Sequence, residues 1–376
     1  MALSKIDLAN MVENQMSQSL IADNINFRNI IINGGMDLAQ RGTSVTGITN
    51  GSSGYHTVDR FQFAESGSPS AVFTQSQSTD VPTGQGFAKS LKMDCTTAQG
   101  SLGAGDLIRI RTTFEGQNLQ YLKKGTSSAE SLTMSFWVKS SKTGTYICQL
   151  LDKDNSRSIS KSYTISSADT WEKKTITYAG DTTGAFTNDN GSSLQVIWWL
   201  GAGSGSSSGT LQTSWGATTT TDTAVGQVNF ADSTSNEWYI TGVQLEAGSV
   251  ASDFEFLPVD VNLQRCQRYY FRRQGDASDQ RAVSNGFATT TNKYRGVVVF
   301  PITMRGNPTL TESALETLRP GQVNDAVSAG SIIDASVNAA MVELIADSGT
   351  PYTAGNGLTV RVTNSTSAFI AFEAEL

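Results

Sequence analysis

Apolar and polar residues alternate in short runs through most of the chain, and Gly, Ser, Asn and Asp clusters cut the runs apart. "SLTMSFWVKSS" places Leu132, Met134, Phe136 and Val138 on one face, and "DLIRIRTTFE" alternates Ile108 and Ile110 with arginines. A period of two belongs to a half-buried strand. "FRNIIING", "YHTVDRFQFAES", "GTYICQLLD", "KKTITYAG", "LQVIWWLGAG" and "EWYITGVQLE" read as further strands. Many short strands with turn punctuation predict a sandwich or jelly roll over residues 27–258. In "VIWWLG" one tryptophan must face inward and its neighbour outward. The polar stretch "GAGSGSSSGTLQTSWGATTTTDTAVG" reads as a long flexible loop between two late strands.

A helical period shows at two places. Leu8, Met11, Val12, Met16 and Leu20 recur at mostly three- and four-residue steps, which predicts a short N-terminal helix within residues 1–26. Its stripe is narrow, so it needs a partner or a symmetry mate to be stable. "DVNLQRCQRYYFRRQG" is basic and partly helical, and reads as a connector over residues 259–275. A second β-domain follows over residues 276–376, with strands in "RGVVVFPITM", "SIIDASVNAAMVELIAD", "LTVRVTN" and "SAFIAFEAEL". The expected fold is thus mainly β: a short N-terminal helix, a central jelly-roll β-sandwich, a short connector helix and a small C-terminal β-sandwich.

Composition narrows the function. Of 376 residues 38% are hydrophobic and only 16% charged, which fits strands with Thr and Ser on their solvent faces better than helices or disorder. The net charge is −7 with no basic stripe, so no nucleic-acid partner is expected. No apolar run reaches the length of a membrane span, and no membrane insertion is expected. The first residues lack a signal peptide's basic start and long apolar core, which points to synthesis in a cytoplasm. Cys95, Cys148 and Cys266 lie far apart without CxxC spacing and read as buried thiols.

Catalytic signals are weak. A Ser-His-Asp machine would have to use His56, the one histidine, which has Asp59 three residues on. The one GxSxG match, Gly205 to Gly209, lies inside the serine-glycine loop with no helix expected after it. No short-period repeat of a parallel β-helix is present. No catalytic residue is assigned, and the chain is expected not to be an enzyme.

Several motifs occur in a fixed order: "NIIINGGMDLAQRGTS", "VDRF", "SLTMSFWVKSSKTGTY", "TWEKKTITYAGDTTG", "VIWWLGAGS", "WYITGVQLEAGSVASDFEF" and then "NLQRCQRYYF". Together they resemble the tail-fibre and receptor-binding proteins of tailed bacteriophages, with a carbohydrate-binding-module-like jelly roll in the middle. The end of the chain is similar to the tip domain of such fibres. The resemblance implies that Asn33, Gly34 and Gly35 turn the first strand in beside the closing strand, with glycine allowing positive φ or close backbone approach. Many modules of this shape hold a structural calcium through an Asp in the closing strand. Here Thr241 and Gly242 stand in its place, leaving Asp37 and Glu246 to supply oxygens, and no cofactor is expected beyond such a calcium.

The resemblance further implies a virion tail fibre that attaches to a bacterial surface polysaccharide or lipopolysaccharide without cleaving it. Its partners would be two further copies in a homotrimer and other phage tail proteins reached through the N-terminus. Trimers make sense because millimolar sugar contacts of about −4 kcal/mol gain avidity when linked. Alternatives are a purely structural fibre, adaptor or decoration protein of the virion, a glycan-degrading tailspike, and a secreted bacterial module. Sugar recognition favours exposed aromatic faces with polar neighbours. Of six tryptophans, most are expected in the core, and Trp215, in the polar loop, is the best candidate for exposure. At a fibre tip, loops around Tyr294, Arg295, Asn307, Tyr352 and Asn356 would face the host.

Overall fold

Alternation sorts the strands into layers as the sequence pattern predicts, and the chain is mainly β. A computed structural model describes residues 27–276, 281–319, 324–347 and 352–376; the expected N-terminal helix lies outside them. In chain order the first strands are β1 (Ser44–Ile48), β2 (Gln62–Ser66), β3 (Val72–Ser78), β4 (Ser90–Thr97), β5 (Leu107–Glu115) and β6 (Leu132–Ser140). They continue with β7 (Gly144–Asp152), β8 (Arg157–Ile165), β9 (Glu172–Tyr178), β10 (Ser192–Ala202), β11 (Gly216–Ala217) and β12 (Glu237–Ala247). These form two six-stranded antiparallel sheets, ordered β1-β3-β4-β12-β6-β9 and β11-β8-β7-β10-β5-β2.

The sheets stack through their apolar faces. Leu132, Met134, Phe136 and Val138 all point into this core. The Phe136 ring meets Tyr163 at 5.1 Å and Trp198 at 6.2 Å, both edge-on. Trp198 faces in and Trp199 out, as alternation requires. Yet Trp199 is buried too, because the stretch after β10 is not a free loop. It carries a short helix, Ser204–Ser207, and β11, and it lays Leu211 and Ala224 over Ile147, Ile197 and Trp199. Ser160 ties it down by donating to Thr223 O at 2.7 Å.

A helix, Val259–Gln267, leads into the second unit. Its strands are β13 (Tyr270–Gln274), β14 (Arg281–Ala288), β15 (Lys293–Val299), β16 (Thr309–Ser313), β17 (Leu315–Leu318), β18 (Asp325–Ala335), β19 (Ala339–Ala346), β20 (Gly357–Val362) and β21 (Phe369–Glu373). Six of them close into a barrel, β14-β15-β19-β18-β17-β20, and three form the sheet β13-β21-β16. Closure leaves the small unit without barrel edges. A single core joins both parts, with Phe271 stacked on Phe372, Phe300 edge-on to Phe271, and Val342, Leu344 and Val360 in the same core.

The "NGGMDLAQRG" stretch lies at the joint between the two units. Asn33 takes the left-handed conformation, φ 62°, and so does Met36, φ 63°. Gly34 instead meets the need for close approach: a Cβ there would sit 2.0 Å from Val243 O, and Gly34 O accepts from Val243 N at 2.9 Å. "FRNIIING" therefore runs beside β12, with Ile30 N donating to Leu245 O at 2.9 Å, but it forms no strand. The Asn29 side chain takes part in the pairing, accepting from Leu245 N and donating to Val243 O.

Candidate functional site

The outward face of the first sheet breaks the usual rule that solvent positions carry small polar residues. In β12 the core takes Trp238 and Ile240, so Tyr239 points outward, where Lys92, Lys139 and Trp171 pack around it and it is buried. In β6 the core takes Phe136 and Val138, so Trp137 and Lys139 point outward. Register places Lys92, Tyr239 and Lys139 side by side, and Trp171 follows just before β9. The result is a row in which cations and aromatic rings alternate, with half-buried Trp137 one step along β6.

Each member holds its neighbour. Lys92 Nζ lies 5.5 Å from the Tyr239 ring centroid, and Lys139 Nζ lies 4.4 Å from the same ring and 5.8 Å from Trp171. The Trp171 ring meets Tyr239 edge-on at 6.1 Å. Trp171 Nε1 donates to Asp80 Oδ1 at 2.9 Å, and Lys139 pairs with the same carboxylate. Burial alone would raise the Asp80 carboxyl, but the Lys139 and Trp171 hydrogen bonds outweigh it and hold the carboxyl below its ordinary range. Tyr239 Oη donates to Glu237 at 2.6 Å, and Lys92 pairs with Glu237 at 2.7 Å. Burial, and then that carboxylate, raise the Tyr239 phenol, so it stays a neutral donor.

Such a row can do one thing well. The half-buried Trp137 and Trp171 rings can stack on the apolar face of a pyranose, with Tyr239, 6% exposed beneath the lysines, as their support, while Lys and carboxylate groups around them meet hydroxyls. The signal was present in the sequence: Trp137 sits at an odd position of a strand whose even positions form the core.

The residues expected to bind sugar fall elsewhere. Tyr294 and Tyr352 are buried in the barrel core, 0% and 4% exposed, so neither ring can meet a ligand, which corrects the expectation for both. Alternation places Tyr294 inward on β15, and the Tyr352 hydroxyl is held 2.6 Å from that of Thr317. Arg295 is bound to Glu343, its Nε 2.9 Å from Oε2. Asn356 is exposed at the same barrel end as Tyr294, its carbonyl accepting from Ala288 N at 2.9 Å. Asn307 is exposed ahead of β16. Trp215 is half-buried against the sandwich core, its Nε1 donating to Ala179 O at 2.8 Å.

His56 sits 2.7 Å from Ser52 O, and burial lowers its pKa. Asp59 is engaged with Gln40 and Arg41 rather than with the imidazole. Glu246 fits a calcium poorly, since it accepts from Ser252 N and Oγ and from Gln244, with Arg28 at 3.8 Å. Among the described residues no group of three or more His, Cys, Asp or Glu could hold a metal ion. Cys95, Cys148 and Cys266 are buried free thiols. Gln40 and Arg41 belong to the joint: Gln40 donates to Tyr270 O at 2.9 Å, and the Arg41 guanidinium lies 3.6 Å over the Tyr270 ring.

No protein-family model and no curated protein match this sequence. Solved structures are similar over the larger part of the chain at low identity. The enzymatically active domain of bacteriophage CBA120 tailspike protein 4 aligns with a TM-score of 0.31 and 13% identity, covering 58% of this chain and 21% of that one. A family 11 carbohydrate-binding module from Clostridium thermocellum, solved with a β-1,3-1,4-mixed-linked tetrasaccharide, aligns with a TM-score of 0.28 and 10% identity over 56% of this chain and 98% of that one. A xylan-binding domain from Paenibacillus barcinonensis aligns with a TM-score of 0.25 and 12% identity, covering 50% of this chain and 87% of that one.

Proposed function

We propose that this chain is a non-catalytic attachment protein of a tailed-phage virion that binds a glycan of the bacterial surface. The observation that carries the glycan reading is the outward row of Lys92, Tyr239, Lys139 and Trp171, with Trp137 beside it. A sandwich that needed only solubility would carry Thr and Ser there. The phage reading rests on the ordered motifs, from "NIIINGGMDLAQRGTS" to "NLQRCQRYYF". A homotrimer follows from the same reading, since three weak stacking sites give the avidity one site lacks.

The test uses labelled full-length protein on susceptible and resistant host cells, with Trp171→Ala and Trp137→Ala alongside. The proposal predicts binding to susceptible cells that either variant weakens at unchanged melting temperature. Binding that both variants leave intact would move the site off this face. Absence of binding would leave a structural part of the virion. Light scattering during gel filtration reads the copy number.

A further inference from the structure

The second sheet holds a different feature on its outward face. Ile108 and Ile110 of β5 enter the core, so Arg109 and Arg111 both point outward. Two positions apart on a strand, their Cα atoms are about 7 Å apart. Across the sheet Arg109 faces Ala64 on one side and Trp199 on the other, and Arg111 faces Gln62 and Ile197.

Neither arginine has an acidic partner among the described residues. The Arg41, Arg60, Arg157 and Arg268 guanidinium groups all pair with carboxylates. Arg109 instead lies 5.2 Å from the Trp199 ring, and its Nε is buried without a hydrogen-bond partner. Among the described residues Arg111 donates only to the Gln62 side-chain oxygen. Burial, and then the like charge of Arg111, lower Arg109 to about 10. Like charges side by side on a half-buried face cost stability unless an anion joins them.

We infer that Arg109 and Arg111, with Gln62 and Trp199 around them, form a binding site for a carboxylate or phosphate group carried by a sugar. A guanidinium fork matches either group with two parallel hydrogen bonds, and two forks can share one anion. Arg109 and Arg111 are both half-buried rather than closed off. Ala64, with a single methyl, adds no bulk beside Arg109. The buried Trp199 ring lies beneath the Arg109 guanidinium and holds it in place. This site is on the opposite sheet from the aromatic row; its anion part stands on the arginines alone, and its sugar part rests on the glycan reading proposed above.

Calorimetry on the full chain tests it with three probes: inorganic phosphate, an oligogalacturonide and a neutral oligogalactoside, each at 20 and 200 mM NaCl. The expected result is that an anionic probe binds, weakens at higher salt, and loses at least 10-fold in Arg109→Gln/Arg111→Gln, while Lys153→Gln, which removes a charge at an exposed turn outside both faces, leaves it unchanged. The oligogalacturonide binding better than phosphate assigns a sugar-borne acid. Phosphate alone binding would overturn the sugar part of the inference. Anion binding that the double variant retains, or no anion binding, would overturn the site. The ligand-free double variant should also melt at or above the wild-type temperature, since it loses a repulsion; a lower melting temperature would mean the arginines serve the fold.

Discussion

Arg60 of the sandwich pairs with Glu375, the residue before the last, and the pair is buried where the two units meet. The Arg60 guanidinium also lies 3.5 Å over the Tyr269 ring and donates to Thr113 O at 2.6 Å. Next to it Arg41 repeats the arrangement over Tyr270 and reaches Glu375 at 3.2 Å. Removing the carboxylate leaves a fully buried cation unpaired, which costs about 3–5 kcal/mol. Glu375→Ala should therefore lower the unfolding free energy from urea titration by that amount, with a matching fall in the midpoint, and Glu375→Gln by less, because an acceptor remains. Equal midpoints for wild type and Glu375→Ala would show that the joint holds without this pair.

Gly34→Ala puts a methyl 2.0 Å from Val243 O, a backbone atom that cannot swing away, and 3.3 Å from the Phe254 ring. Overpacking of this kind costs about 1–3 kcal/mol or more. Gly100→Ala is the matched control, since nothing lies within 4 Å of its added methyl. The control should stay within about 0.5 kcal/mol of wild type. A calorimetric scan of both variants decides it: equal melting temperatures would refute the close-approach account of "NGG".

Much of this was legible. A period of two assigned Met134, Phe136 and Val138 to the core, and it set Trp198 against Trp199. What periodicity could not see was cover supplied from far along the chain. Trp199 faces outward, yet Leu211 and Ala224 bury it, and nothing local in "GTLQTSWGATTTTDTAVG" announces that. The same limit misplaced Tyr294 on β15 and Tyr352 ahead of β20, both of which the closed barrel buries with partners distant in sequence. Joint partners such as Arg60 and Glu375 are separated by 315 residues, so no window contains both. The aromatic row was legible in principle, because its members occupy outward positions of strands already identified.

Asp59 is buried at the joint, and burial raises its pKa to about 6 despite Arg41 and the Gln40 hydrogen bonds. The unfolded value is about 3.9. A carboxyl raised on folding binds its proton more tightly in the native state. Its contribution to stability is therefore full below about pH 4 and is lost as pH rises through about 6. Glu115 and Asp181 act oppositely. Burial opposes ionisation there too, but Arg268 and Tyr269, or Arg157 and Lys124, outweigh it and hold the carboxyls low, so their contribution is lost as pH falls. The clean observable is the difference between Asp59→Asn and wild type. Melting temperatures from pH 4 to 7 should show wild type losing ground to the variant as pH rises. A constant difference would mean that Asp59 titrates normally.

Trp171 is the member of the aromatic row whose loss separates recognition from folding. It precedes β9 at the sheet edge, and its Nε1 bond goes to Asp80, which Lys139 continues to hold without it. Trp171→Ala should therefore change stability little and remove one stacking face. Buried aromatic anchors at binding surfaces cost about 2 kcal/mol or more when truncated, a loss of roughly 30-fold in affinity. Trp215→Phe is the contrast: it loses the bond to Ala179 O and lowers stability, but leaves the row untouched. Titration of both variants with soluble host polysaccharide, read by tryptophan fluorescence, discriminates between them. Weakened binding in Trp171→Ala with unchanged binding in Trp215→Phe places the ligand on the first sheet. The reverse pattern would place it at the edge of the sandwich where Trp215 packs, and the aromatic row would then be a packing feature between the lysine stems.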